Sequence, residues 1–123
     1  FQLKTSGSTG APKSITATRN QLIQSARLTL QALSIKRGGK ILLCINPAYI
    51  GGKMMLVRAL VNAMRIDAID PTSMAFNKIP TCDFAAFVPI QIQSLRKSKG
   101  GLKKLSKIKN IIISYAIFFY KDP

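Results

Sequence analysis

Histidine, glutamate and tryptophan are absent from this 123-residue chain. Without histidine there is no Ser-His-Asp or Cys-His nucleophile system and no His-containing zinc site. The only acids are Asp67, Asp70, Asp83 and Asp122, too few and too scattered for a hydrolase built on paired carboxylates. Cysteine is nearly absent: Cys44 and Cys82 stand far apart with no CxxC spacing. They read as two reduced, buried thiols of a cytoplasmic protein. No uncharged run approaches the ~18 residues of a membrane span, so no membrane partner is expected. Negative charge is what the chain lacks most: 19 Lys and Arg face 4 Asp, a net charge of +15. Such an excess suggests a polyanionic partner. With 47% hydrophobic residues, the charge belongs to a globular chain and not to a disordered tail. The length fits one domain or part of a larger one. An opening on Phe1, directly into a strand, suggests a fragment.

Breakers and periodicity divide the chain into alternating elements. Residues 1–4 are β-prone, and residues 5–13 form a loop rich in Gly and hydroxyl side chains. Residues 14–17 return as a strand. Thr18 is placed to cap a helix, with Gln21 completing a capping box. Leu22, Ala26, Leu30 and Leu33 then recur at helical spacing until Arg37-Gly38-Gly39-Lys40 stops the pattern. A continuous apolar run at 41–45 predicts a strand covered on both faces. Residues 46–52 read as a loop. Residues 54–64 read as a helix apolar almost all round, broken only by Arg58 and Asn62, hence buried. Strands are expected at 66–69, 83–88 and 109–113, with a loop at 71–81 and a helix at 89–95. A basic, Gly-containing stretch at 96–107 holds one helical turn near 102–105. Strands alternating with helices predict an α/β fold with a mainly parallel sheet and flanking helices.

The 5–13 loop reads Thr5-Ser6-Gly7-Ser8-Thr9-Gly10-Ala11-Pro12-Lys13. Its glycines let the backbone approach a ligand closely. Hydroxyls, backbone N–H groups and the Lys13 cation are the parts of a phosphate cradle. The common triphosphate loop G-x-x-x-x-G-K-[ST] is not met, because Pro12 stands at the second glycine and has no N–H to donate. Taken by itself, so polar a stretch also reads as a surface hairpin.

The same nine residues closely resemble the phosphate-binding motif T-S-G-[ST]-T-G-x-P-K of the acyl-adenylate-forming (AMP-binding) superfamily, which includes acyl-CoA synthetases, luciferases and peptide-synthetase adenylation domains. Every defining position is present. Downstream, Ile45-Asn46-Pro47-Ala48-Tyr49-Ile50-Gly51-Gly52 looks like that family's L-P-L-F-H-x-x-G motif. Here Pro falls one position late and Tyr49 takes the place of the usual His. Met55-Leu56-Val57-Arg58-Ala59-Leu60 is similar to the matching helix of o-succinylbenzoate–CoA ligases of menaquinone biosynthesis, where an Arg faces the acyl substrate.

The resemblance implies part of the large N-terminal domain of an ATP-dependent, AMP-forming acid–CoA ligase. It implies ATP, Mg²⁺ and coenzyme A as cofactor and co-substrates, and a small carboxylic acid as partner. Thr5, Ser6, Gly7, Ser8, Thr9, Gly10 and Lys13 would hold the β- and γ-phosphates. Tyr49, Gly51, Gly52 and Arg58 would shape the acyl pocket. Such chemistry rests on charge neutralisation and placement of the carboxylate more than on proton transfer, so the missing histidines are no objection. Independently of family, a guanidinium on an apolar helix must be paired or solvated. A substrate carboxylate is one partner for Arg58; Asp67, Asp70, Asp83 or solvent are the others. Residues 1–113 are expected to be the partial AMP-binding domain. After Ile113 the pattern is lost: no aromatic-Gly-x-T-E motif, which would bind adenylate and metal, follows. Residues 114–123 therefore read as an aberrant or truncated tail, and the chain alone is expected to be inactive.

The competing reading is a basic nucleic-acid-binding module. Arg96, Lys97, Lys99, Lys103, Lys104, Lys107 and Lys109 cluster near the C-terminal end. No aromatic residues interleave them and no common binding motif is present. A solvated basic face is the simpler account of the cluster, and nucleic acid is not expected as a partner.

Overall fold

The structure, a computed structural model, describes residues 1–4, 14–71 and 78–113. The 5–13 motif and the 114–123 segment lie outside the described residues.

A short hairpin, β1 (Gln2–Lys4) with β2 (Ser14–Thr16), pairs antiparallel with Leu3 opposite Ile15. Helix α1 (Arg19–Ala32) starts at the expected cap. Thr18 Oγ1 accepts the Gln21 N–H at 3.1 Å, and Gln21 Oε1 accepts the Thr18 N–H at 2.8 Å. The helix ends earlier than the Arg37-Gly38-Gly39-Lys40 breakers suggest. Ser34 turns into the left-handed region (φ 52°), and Ile35 N–H folds back onto the Leu30 carbonyl. Burying Ile35 in the core ends the helix before the glycines are reached.

Four strands form a wholly parallel sheet in the order β4-β3-β5-β6: β3 (Lys40–Leu43), β4 (Arg65–Ala68), β5 (Cys82–Phe87) and β6 (Ile108–Ile113). Helix α2 (Ile50–Val61) crosses from β3 to β4. Helices α3 (Pro89–Lys97) and α4 (Gly101–Leu105) cross from β5 to β6. The α/β class with a parallel sheet and flanking helices is as the sequence indicates.

Alternation along the central strands divides the core into two layers. Leu42, Cys44, Ala85 and Phe87 pack with Leu95 and Ile108 on the α3–α4 side. Ile41, Phe84 and Ala86 pack with Leu30, Met55 and Ala59 on the α1–α2 side. Ile41 and Leu42 are both fully buried, which is why no polar side chain follows Lys40 in that strand. A third cluster ties the hairpin to the helices: Leu3 and Ala17 pack against Leu22, Ala26, Ile50 and Met54. The stem of the 5–13 loop is thereby seated on the first half of α2.

Both cysteines are free and buried. Burial, with Cys82 nearby, pushes the Cys44 thiol up to about 12, so it packs as an inert apolar group. Its Sγ donates to the Ala86 carbonyl at 3.2 Å. Among the described residues no helix is long and apolar enough to cross a membrane.

Candidate functional site around the start of α2

Helix α2 begins at Ile50, four residues ahead of the expected start, with Tyr49 as its N-cap. The reason is a turn that closes on itself. Asn46 Oδ1 accepts the Ala48 N–H at 2.9 Å, and the Asn46 carbonyl accepts the Tyr49 N–H at 3.2 Å. Gly51 and Gly52 thus fall in the first helical turn, not in a loop. A Cβ at Gly52 would strike the Asn46 carbonyl and lie 2.7 Å from Cα of Pro47. One at Gly51 would lie 3.3 Å from Cδ1 of Ile45. The glycines let the helix start pack directly on the chain leaving β3. Tyr49 is half-buried beside them.

Two turns further along, Arg58 is 2% exposed. Its Nη2 donates to Thr29 Oγ1 on α1 at 3.3 Å, and its Nη1 lies 3.4 Å from Met55 Sδ. The guanidinium carbon sits 5.9 Å from the centre of the Phe84 ring, a cation–π contact at the outer limit of range. Nε is buried without a hydrogen-bond partner. Removal from water pushes the Arg58 guanidinium down to about 10. Thr29 is held for its role by donating to the Ser25 carbonyl at 3.2 Å.

Of the carboxylates that could have neutralised Arg58, Asp67 binds Lys40 at 3.2 Å and Asp83 binds Lys109 at 3.4 Å. Asp83 Oδ2 also accepts the Lys40 N–H at 2.8 Å. Among the described residues no ion pair reaches Arg58, and at 2% exposure it does not snorkel to solvent. The structure therefore gathers Tyr49, Gly51 and Gly52 at one end of α2 and places Arg58 deeper on the same helix. Thr5, Ser6, Gly7, Ser8, Thr9, Gly10 and Lys13, expected from the sequence to hold phosphate, lie outside the described residues.

The sequence reading missed two residues at this end of the sheet. Gln91, on the first turn of α3, is buried. Its Nε2 donates to the Cys44 carbonyl at 2.7 Å and its Oε1 accepts the Val88 N–H at 2.9 Å. It binds the chain leaving β3 to the chain leaving β5, beside the carboxyl ends of parallel strands where ligand crevices form. A Gln two residues after the helix-starting Pro89 was the available signal. Thr29 is the other; nothing local marks a threonine that serves a cation 29 residues away. No group of three or more His, Cys, Asp or Glu side chains gathers to hold a metal among the described residues.

The basic cluster that raised nucleic acid as an alternative lies along α3, α4 and the start of β6. Arg96, Lys97, Lys99, Lys103 and Lys107 are exposed there, and Lys109 reaches Asp83. It forms an exposed basic face over the crossover from β5 to β6.

The architecture is that of part of the N-terminal domain of an adenylate-forming enzyme. Among solved structures, the chain is similar to an acyl-CoA synthetase (AMP-forming)/AMP-acid ligase II-like protein from Dyadobacter fermentans. The two are 39% identical, with a TM-score of 0.80, over 92% of this chain and 33% of that one. It also resembles in fold the o-succinylbenzoate coenzyme A synthetase of Bacillus subtilis in complex with its acyl-adenylate intermediate (20% identity, TM-score 0.72, 92% and 30% of the two chains). The inhibitor-bound N-terminal domain of FACL13 from Mycobacterium tuberculosis shares the fold at 13% identity (TM-score 0.72, the same coverage). The chain spans about a third of the length of these proteins. No family model and no curated protein matches it.

Proposed function

We propose that the chain is part of an ATP-dependent, AMP-forming carboxylate–CoA ligase of the adenylate-forming superfamily. The observation that carries this reading is the 39% identity to an AMP-forming acyl-CoA synthetase-like protein across 92% of the chain. The complete T-S-G-[ST]-T-G-x-P-K pattern at 5–13 points the same way. In this reading Ser6, Ser8, Thr9 and the backbone between Gly7 and Gly10 donate to the β- and γ-phosphates of ATP, and Lys13 neutralises their charge. The strands that flank this motif in the sequence, β1 and β2, are seated against Ile50 and Met54 of α2. Magnesium, where present, is carried by the triphosphate or by residues outside the described set. Coenzyme A is the expected thiol acceptor.

For the acid substrate, o-succinylbenzoate is the specific proposal, supported by the similarity of residues 55–60 to such ligases. Arg58, with one N–H unsatisfied, is the group suited to a carboxylate. Residues 114–123 are proposed to be a departure from the family pattern, and the chain alone to be unable to complete adenylation.

Limited trypsin digestion tests the nucleotide reading. ATP should protect the Lys13–Ser14 bond while leaving cleavage at Lys97 and Lys99 unchanged. Equal cleavage at Lys13 with and without saturating ATP would overturn it.

A further inference from the structure

Outside this site, an open groove of about 720 Å³ runs between α1, α2 and the hairpin. One wall is the α1 ridge Arg19, Ile23, Arg27, spaced i, i+4, i+8; the other is the α2 pair Leu56 and Leu60, with Lys53 and Val57 beside it. Leu60 is 80% exposed, although it sits on a helix apolar on nearly every side. Among the described residues, every charged side chain lining the groove is a cation: Arg19, Arg27 and Lys53. Asp67 and Asp83 are engaged with Lys40 and Lys109 and do not line it.

We propose that this groove docks an acidic amphipathic helix, its apolar stripe against Leu56, Val57 and Leu60 and its carboxylates toward Arg19, Arg27 and Lys53. Two i, i+4 helical ridges lining one groove leave room for a third helix, which inserts its own i, i+4 row between them. The charge at the rim selects the sign of the partner and sets its orientation. A nucleic-acid backbone would use the cations and leave the leucines wet, so the combination favours a protein segment.

The test uses the whole chain at 0.15 M salt and an 18-residue Leu/Glu/Ala peptide with leucines at i, i+3, i+4 and i+7, read by fluorescence anisotropy. A scrambled peptide of the same composition controls for attraction to a +15 protein. The patterned peptide should bind at least tenfold more tightly than the scramble. Leu60→Lys should remove that preference even though it adds a positive charge. Leu102→Lys, on another exposed leucine, in α4 (66% exposed), should keep it. Arg19→Glu with Arg27→Glu should weaken binding more than Arg96→Glu with Lys97→Glu. Both leucines are exposed, so circular dichroism should match the parent chain. Equal binding of the two peptides, or equal losses in the two leucine variants, would overturn the proposal. Tighter binding to phosphatidylserine-containing vesicles than to the peptide, abolished by Leu60→Lys, would assign the groove to a lipid surface and equally overturn it.

Discussion

Arg58 Nη2 donates to Thr29 Oγ1 at 3.3 Å, so that among the described residues a neutral hydroxyl is the oxygen partner of a buried cation. A guanidinium so held is under-compensated: it has left water, retains an unpartnered Nε, and meets no carboxylate among the described residues. Such a group costs stability unless something else justifies it. Here the something else is proposed to be a carboxylic acid ligand.

Arg58→Met is therefore expected to stabilise the chain by about 1–3 kcal/mol, since an apolar side chain of similar length removes the desolvation penalty. Urea unfolding measures it. Arg58→Lys, which keeps the charge but loses the fork and the Phe84 stacking, should not stabilise. A destabilised Arg58→Met would mean that the cation is well paired in the folded chain.

Asp83 gives the chain an acid-sensitive clamp. The Lys40 N–H first, and then Lys109, hold its carboxyl below the ordinary value of 3.8. A carboxylate depressed by folding adds stability that is complete above the unfolded value and is lost as pH falls through the folded one. Stability should therefore be flat from pH 7 to about 5 and decline below about 4. Asp83→Asn should lower the neutral-pH value by about 1 kcal/mol, the bond being partly solvent-screened, and should flatten the acid limb. Thermal unfolding from pH 3 to 7 reads both; an unchanged acid limb in Asp83→Asn would contradict the assignment.

Gly52 is required by space. Gly52→Ala forces the first turn of α2 away from Asn46 and Pro47 and should cost about 1–3 kcal/mol. Gly38→Ala meets no neighbour but holds φ +82° and should cost about 1 kcal/mol through backbone strain alone. Denaturant midpoints of the two variants compare crowding with strain directly.

These residues also mark what could be read from the sequence. The capping box at Thr18 and Gln21 was legible because its donors and acceptors lie three residues apart. The doubly covered strand at Ile41 and Leu42 was legible because burial on both faces excludes polar residues. The start of α2 was not. Gly51 and Gly52 look like loop residues until the backbone of Asn46 is known to press against them. The end of α1 was overestimated because the pull of Ile35 into the core is a tertiary effect. Arg58 was recognisable as a cation needing a partner, yet its actual partner, Thr29, is fixed by the packing of two helices. The 5–13 motif, outside the described residues, stands on its sequence and on the strands that carry it.

The central claim is that residues 5–13 bind the triphosphate of ATP, and calorimetric titration of the chain with Mg-ATP at 0.15 M salt tests it most directly. Lys13→Ala should weaken binding at least tenfold, while Lys99→Ala, which removes the same charge from the exposed basic face, should leave it unchanged. Equal effects of the two variants, or competition of ATP by arbitrary DNA with equal loss in both, would contradict the claim and return the +15 charge to a general affinity for polyanions.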